Sequence, residues 1–276
     1  MPTPTSSPSP SLEQEVADYR AARVARLTAE DGWLTVVGKT WIGQGVHVVG
    51  AAPGSAIELP AGAPACAGWV TVSGASAIFQ VSPIVTASFR GEPVSGPVEL
   101  GSEGVRIGSI TLQLIRRGDD IAVRVRDSEA PARVAFTEIP AYPVDPRFRV
   151  WASLRAHRSE QKVVLEDGDG RPQEYVSPGI ALFELGGLQV ELEPVYDSDR
   201  QRLFVLFADA TNRDETYGAG RFLYAPLPED GRLLLNFNLA FNPPCAFTPH
   251  AACPLPPANN RIPLRIEAGE KRPKAY

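Results

Sequence analysis

Apolar residues in this chain follow two different periods. From Leu12 to Leu27 they recur every three to four positions, at Leu12, Val16 and Tyr19 and then, after one wider gap, at Val24 and Leu27. That spacing predicts an amphipathic helix within "SLEQEVADYRAARVARLTAEDG". Ser11 followed by Gln14 forms a capping-box pair, and Gly32 suits a stop. The apolar stripe is thin, so the helix is expected to lie on the outside of a sheet.

After Gly32 the period shortens to two. Segments 46–50, 68–73, 77–82, 110–115 and 121–126 alternate or are rich in β-branched residues. "RRGDD" joins the last two as a hairpin, and "IALFELGGLQVELEPV" is the clearest hairpin, with Gly186-Gly187 between its arms. "LEDGDGRPQEYV" turns at 167–170, and segments 147–154, 202–209, 221–225, 232–241 and 262–269 continue the pattern. Turn signals recur every ~8–12 residues with no second helical pattern between them, which predicts antiparallel sheets rather than α/β. The expected fold is therefore mainly β, an antiparallel sandwich or barrel-like arrangement with one N-terminal amphipathic helix. Residues 1–10 read as a disordered Pro/Ser tail and 11–276 as one β-rich domain. A soft boundary falls at "IPAYPVDP", 139–146, where three prolines interrupt the strand rhythm.

Composition narrows the class. Of 276 residues, 43% are hydrophobic and 21% charged, as in globular domains. The net charge is −5 and no Lys/Arg cluster appears, so no nucleic-acid partner is expected. No apolar run approaches the ~18 residues of a membrane helix. "MPTPTSSPSP" lacks the basic and apolar regions of a secretory signal. Three cysteines do not make a disulfide framework, and cytoplasmic residence is the expectation.

Candidate chemistry gathers in the last third. "FADATNRDETYGAGRFLYA" carries Asp209, Thr211, Thr216, Tyr217 and Arg221, and its glycines Gly218 and Gly220 permit close backbone approach or positive φ. "NFNLAFNPPC" places Asn236 and Asn238 two apart, hence on the same face of one strand, with Asn242 and Cys245 following in the loop. Asn is depleted in strands, so these residues are read either as a polar pocket wall or as anchors for loop backbone.

"PPCAFTPHAACPLPP" admits four readings. As a metal loop, Cys245, His250 and Cys253 give C-x4-H-x2-C, one ligand short of a structural zinc site, so no metal is expected. The others are a disulfide, a nucleophilic Cys245 activated by a neighbour, and a buried small hydrophobe in a stiff corner. Trp33 and Trp41 are expected to close the core or line a pocket. Arg124, Arg126 and Asp127 are expected to form a surface salt bridge. His47 and His157 are isolated, and neither a G-x-S-x-G motif nor a phosphate loop is present.

These stretches together resemble the bacterial domain-of-unknown-function family 1684. Its pattern F-x-D-x-T…T-Y-x-A-G-R-F-L, then N-P-P-C-A, C-P-L-P-P and A-G-E, aligns with "FADATNRDETYGAGRFL", "NPPCA", "CPLPP" and "AGEK", and "GWLTVVGKTWIGQG" and "LIRRGDDIAVRVRDSEAP" resemble its upstream stretches. The family carries no activity to transfer. Matching positions include Asp209, Thr211, Thr216, Tyr217, Gly220, Arg221, Asn238, Asn242, Cys245, Cys253, Asn259, Glu270 and Lys271. Arg213, Asn236, Phe241 and His250 depart from it, where the family looks Gly, Asp, Tyr and aromatic. The resemblance thus weighs against His250 as a ligand or base.

Two functions fit the residues. One is a cofactor-independent enzyme of hydrolase or lyase type acting on a small molecule. In it Asp209 is acid/base, Arg221 holds an anion and Cys245 completes the catalytic set, with Thr211, Tyr217, Asn236, Asn238 and Asn242 binding substrate. The other is a non-catalytic ligand- or protein-binding module in which the same residues anchor the Pro-rich loop.

Overall fold

A computed structural model describes residues 10–274. The expected tail over 1–10 lies, Pro10 apart, outside the described residues. The chain divides into two compact units. Among the described residues, the first comprises 10–26, Glu138–Ala246 and Cys253–Lys274, and the second comprises Leu27–Thr137 and Phe247–Ala252. The change of unit at Thr137 directly precedes the proline-rich stretch 139–146.

The second unit holds β1 (Val36–Ile42), β2 (Gly45–Gly50), β3 (Ile57–Glu58), β4 (Gly68–Ser73), β5 (Ser76–Val81), β6 (Ser88–Phe89), β7 (Glu92–Pro93), β8 (Val98–Glu99), β9 (Val105–Ile107), β10 (Ile110–Arg117) and β11 (Asp120–Asp127). They form a six-stranded sheet, β1-β11-β10-β9-β6-β7, and a five-stranded one, β3-β2-β4-β5-β8. Alternation supplies the core: Val70 and Val72, Ala77 and Phe79, and Leu112 and Leu114 point inward from both sheets into one cluster. Neither sheet closes into a barrel. Arg126 donates to Gly32 O at 2.6 Å and Gln113 Oε1 at 2.7 Å, and with Arg124 it stacks over Trp33, so this arginine is built in rather than displayed.

The first unit holds β12 (Arg149–Glu166), β13 (Pro172–Leu185), β14 (Leu188–Leu192), β15 (Val195–Tyr196), β16 (Arg202–Asp209), β17 (Arg221–Pro226), β18 (Arg232–Asn236) and β19 (Arg261–Ile262). One sheet runs β14-β13-β12-β18; the other runs β15-β16-β17, with β19 added in parallel to β16. Phe183, Leu192, Phe207, Leu223, Leu235 and Ile266 belong to the single core that both sheets share. The Gly186-Gly187 hairpin forms as the pattern predicts, with Leu185 opposite Leu188.

Helix α1 (Leu12–Thr28) is capped by Ser11, whose Oγ accepts the Gln14 N–H at 3.2 Å. A second, short helix that the periodicity does not reveal, α2 (Pro131–Val134), follows β11. The gap in the α1 stripe has a physical cause. Arg23 occupies it and is buried, with its Nε donating to Glu270 Oε1 at 3.1 Å, its Nη2 to Asn242 O at 2.8 Å, and its guanidinium over the Phe241 ring at 4.9 Å. An arginine whose stem and head both pack inward does the work of an apolar residue in the stripe. Burial pushes the Glu270 carboxyl up, and Arg23 opposes that shift.

Arg23→Ala strands a buried carboxylate and is expected to cost about 3–5 kcal/mol, read by urea unfolding. Arg23→Met combined with Glu270→Gln is expected to recover most of the loss.

Candidate functional site

Asp209 ends β16 and Arg221 begins β17, opposite Phe207 in the antiparallel ladder. Their side chains meet at 2.8 Å with no exposed surface on either. Arg221 Nη2 also donates to Ile266 O at 2.8 Å, and Nη1 donates to Ala268 O and Glu270 O. Asp209 Oδ1 accepts from Thr211 N at 2.9 Å, Thr211 Oγ1 at 2.6 Å and Ile266 N at 3.2 Å. Both carboxylate oxygens and both terminal guanidinium nitrogens are therefore engaged by the protein's own atoms.

The intervening loop is tied the same way. Asp209 and Asn212 cap each other's backbone around the 3-10 turn Ala210–Arg213, and Asn212 Nδ2 donates to Thr216 Oγ1 and Tyr217 O, both at 2.8 Å. Two glycines permit the closure. Gly220 has φ +98°, and a Cβ there would lie 2.7 Å from Phe207 O; Gly269 has φ +78°, and its Cβ would lie 2.5 Å from Ala240 O. Their close approaches are to the protein's own atoms, Pro256 beside Phe207 O at Gly220 and Ala240 at Gly269.

The three asparagines anchor backbone as well. β18 ends at Asn236, and Phe237–Leu239 is a 3-10 turn, so Asn236 and Asn238 do not share a strand face as their spacing suggests. Asn236 Oδ1 accepts Asn238 Nδ2 at 3.1 Å, and Asn236 Nδ2 donates to Glu15. Asn238 clasps Asp145, accepting its N–H and donating to its carbonyl, both at 2.9 Å. Asn242 N–H donates to Glu270 Oε2 at 2.7 Å, and its side chain donates to Lys271 O at 2.8 Å. The predicted residues thus fall into linked groups: Asp209, Thr211 and Arg221; Asn236 and Asn238; Asn242 with Glu270; and Tyr217 with Cys245.

Cys245 is the predicted catalytic residue with the most open surroundings, half-buried in the turn Pro244–Ala246. Tyr217 Oη donates to its carbonyl at 3.0 Å, and its own N–H donates to Cys253 Sγ at 3.2 Å. Both thiols are free, and Cys253 is buried. The neighbouring Cys253 thiol lowers the Cys245 thiol to about 7 against the opposing effect of burial, with a smaller contribution from Tyr217. The same contact and burial push Cys253 up. His250 groups with the second unit, where burial and Lys39 hold its pKa down.

Two features escaped the sequence. His157 Nε2 lies 3.3 Å from Glu193 Oε1 and 3.4 Å from buried Ser177 Oγ, but both partners address one ring nitrogen, whereas a Ser–His–acid relay uses both. A groove of about 720 Å³ in the second unit is lined by Pro60–Cys66, Ile84–Thr86, Ile107–Ile110, Asp127 and Glu129. No motif signals it, because it is assembled from four separated segments. The Arg221 acceptors at 266–270 did have a signal, the "AGE" match.

The first unit defines a class: a two-sheet β module whose sequence motifs converge on a buried ion pair and a C-terminal strap. Residues 134–271 match the family described as "Protein of unknown function (DUF1684)", and the chain belongs to that family. The upstream stretches 32–45 and 114–131 precede the matched residues. The solution NMR structure of an uncharacterised protein of Haloarcula marismortui is 32% identical, covers 50% of this chain and 78% of its own, and has a TM-score of 0.43. Among curated proteins none matches.

Arg221→Lys keeps the charge but cannot reach four acceptors; a loss of about 1–3 kcal/mol is expected by urea unfolding. For Cys245, the thiol is protonated and slow below its pKa and a reactive thiolate above it. Iodoacetamide labelling of Cys245 is expected to rise with pH through about 7. The ionisable groups set against this pair are Cys253, Tyr217 and, acting on Cys253, Asp167; Tyr217→Phe is expected to move the midpoint upward.

Proposed function

We propose that this protein is a non-catalytic small-molecule-binding module. The observation that carries this reading is the enclosure of Asp209 and Arg221, whose side chains have no exposed surface. A general acid or base must reach the proton it moves, and an anion-holding arginine must have donors to spare. Neither condition is met here: the carboxylate oxygens and both terminal guanidinium nitrogens are held by the protein's own atoms, and the unpaired Arg221 Nε is buried out of a ligand's reach, so a hydrolase or lyase built on Asp209, Arg221 and Cys245 is the less supported reading.

The groove of the second unit supports the binding role. Its volume suits a small ligand, its walls mix apolar side chains with Thr86, Ser109 and backbone, and two carboxylates, Asp127 and Glu129, border it. That combination favours a ligand with an apolar body and a cationic group. Cytoplasmic residence belongs to the same proposal, since free thiols suit a reducing compartment.

Thermal unfolding with short alkylamines, and with the matching alcohols and carboxylates, tests the reading. Amines alone are expected to stabilise, by about 2.7 kcal/mol at a hundred times their Kd, and Asp127→Asn with Glu129→Gln to abolish the effect. Turnover of an ester, amide or phosphate substrate that vanishes in a still-folded Arg221→Lys protein would overturn it, as would equal stabilisation by all three ligand classes.

A further inference from the structure

The two cysteines of the Pro-rich segment are held together from opposite sides. Pro243 and Pro244 lead directly into Cys245 and stiffen its approach, and Tyr217 secures its carbonyl. On the other side, Cys253 O accepts the Gly168 N–H at 3.1 Å, Pro254 bridges to Asp167, and Leu255 N–H donates to Glu166 O at 2.9 Å. The end of the β12–β13 hairpin thereby fixes the Cys253 backbone. The result is a sulfur 3.2 Å from the backbone nitrogen of a second cysteine eight positions away.

The two thiols are unequal. Cys245 is partly open to solvent, and Cys253 is 5% exposed behind it. A small oxidant therefore meets Cys245 first, and the product forms next to a second thiol. This is the arrangement of an attacking and a resolving cysteine.

We propose that Cys245 and Cys253 form an oxidative modification site, in which a hydroperoxide oxidises Cys245 to a sulfenic acid and Cys253 resolves it to a disulfide. In the first step the Cys245 thiolate sulfur attacks one peroxide oxygen. The O–O bond breaks, an S–O bond forms, and the departing hydroxide takes up a proton as water. In the second step the Cys253 sulfur attacks the sulfenic sulfur. The S–O bond breaks, and the hydroxyl leaves as water with the Cys253 proton. Two thiols are oxidised and one hydrogen peroxide is reduced to two waters. A low-molecular-weight dithiol reverses the product by exchange through a mixed disulfide. The bond closes the chain around the seven residues between the cysteines. The lowered Cys245 thiol supports the assignment of attacking residue. The proposal is independent of the binding groove.

The test treats the reduced full-length protein with equimolar hydrogen peroxide at neutral pH, then alkylates and maps the peptides, with Cys66 as the internal reference thiol. A Cys245–Cys253 linked peptide is expected, formed about tenfold faster than any oxidation of Cys66, and lost again on treatment with dithiothreitol. In Cys253→Ser the reaction is expected to stop at a sulfenic acid on Cys245, trapped by dimedone. In Cys245→Ser no dimedone adduct is expected at position 253. Oxidation of Cys66 first, or full alkylation of both Cys245 and Cys253 after peroxide treatment of the wild-type protein, would overturn the proposal whether or not the variants fold.

Discussion

One buried charge pair organises the first unit. Asp209 and Arg221 close at 2.8 Å with neither side chain exposed. Removing two ions from water costs several kcal/mol each, and here further hydrogen bonds offset that cost at both carboxylate oxygens and both terminal guanidinium nitrogens. Those bonds come from Ile266, Ala268 and Glu270, so satisfying the charges specifies where the C-terminal segment lies. A neutral core at this place would have no such directional demand.

The remaining polar residues extend the same logic outward. Glu270 binds Arg23 of α1 and the Asn242 backbone, and Asn238 clasps Asp145. Each closes backbone groups that would otherwise be buried without partners. Positions that depart from the family pattern fit this network. Asn236 donates to Glu15, where an aspartate would set two carboxylates against each other. Phe241 stacks on Tyr224 and receives Arg23 on its face, contacts that need no hydroxyl.

Much of the fold was legible because strand burial has a period of two. Ile110, Leu112 and Leu114 alternate in sequence and are buried in alternation, and the Gly186-Gly187 hairpin has the register its arms imply. α1 was legible except at Arg23, where charge concealed a buried position. The spacing of Asn236 and Asn238 implies one strand face, and it cannot show that β18 stops and a 3-10 turn begins between them. The neighbour that Cys245 meets is Cys253, eight positions on, a contact that the spacing permits but does not fix.

What the sequence by itself determined is what depends on neighbours in the chain: one capped helix, alternating strands, their turns, and the family to which residues 134–271 belong. What only the tertiary structure decided is the role of the polar residues. Asp209 and Arg221 are reactive residue types at any position, and whether they meet a ligand or each other depends on which backbone lies over them. Here that backbone comes from Ile266–Glu270, more than forty positions downstream of Arg221. Hydrogen-bond saturation is a property of three-dimensional neighbours, and local pattern carries no record of it.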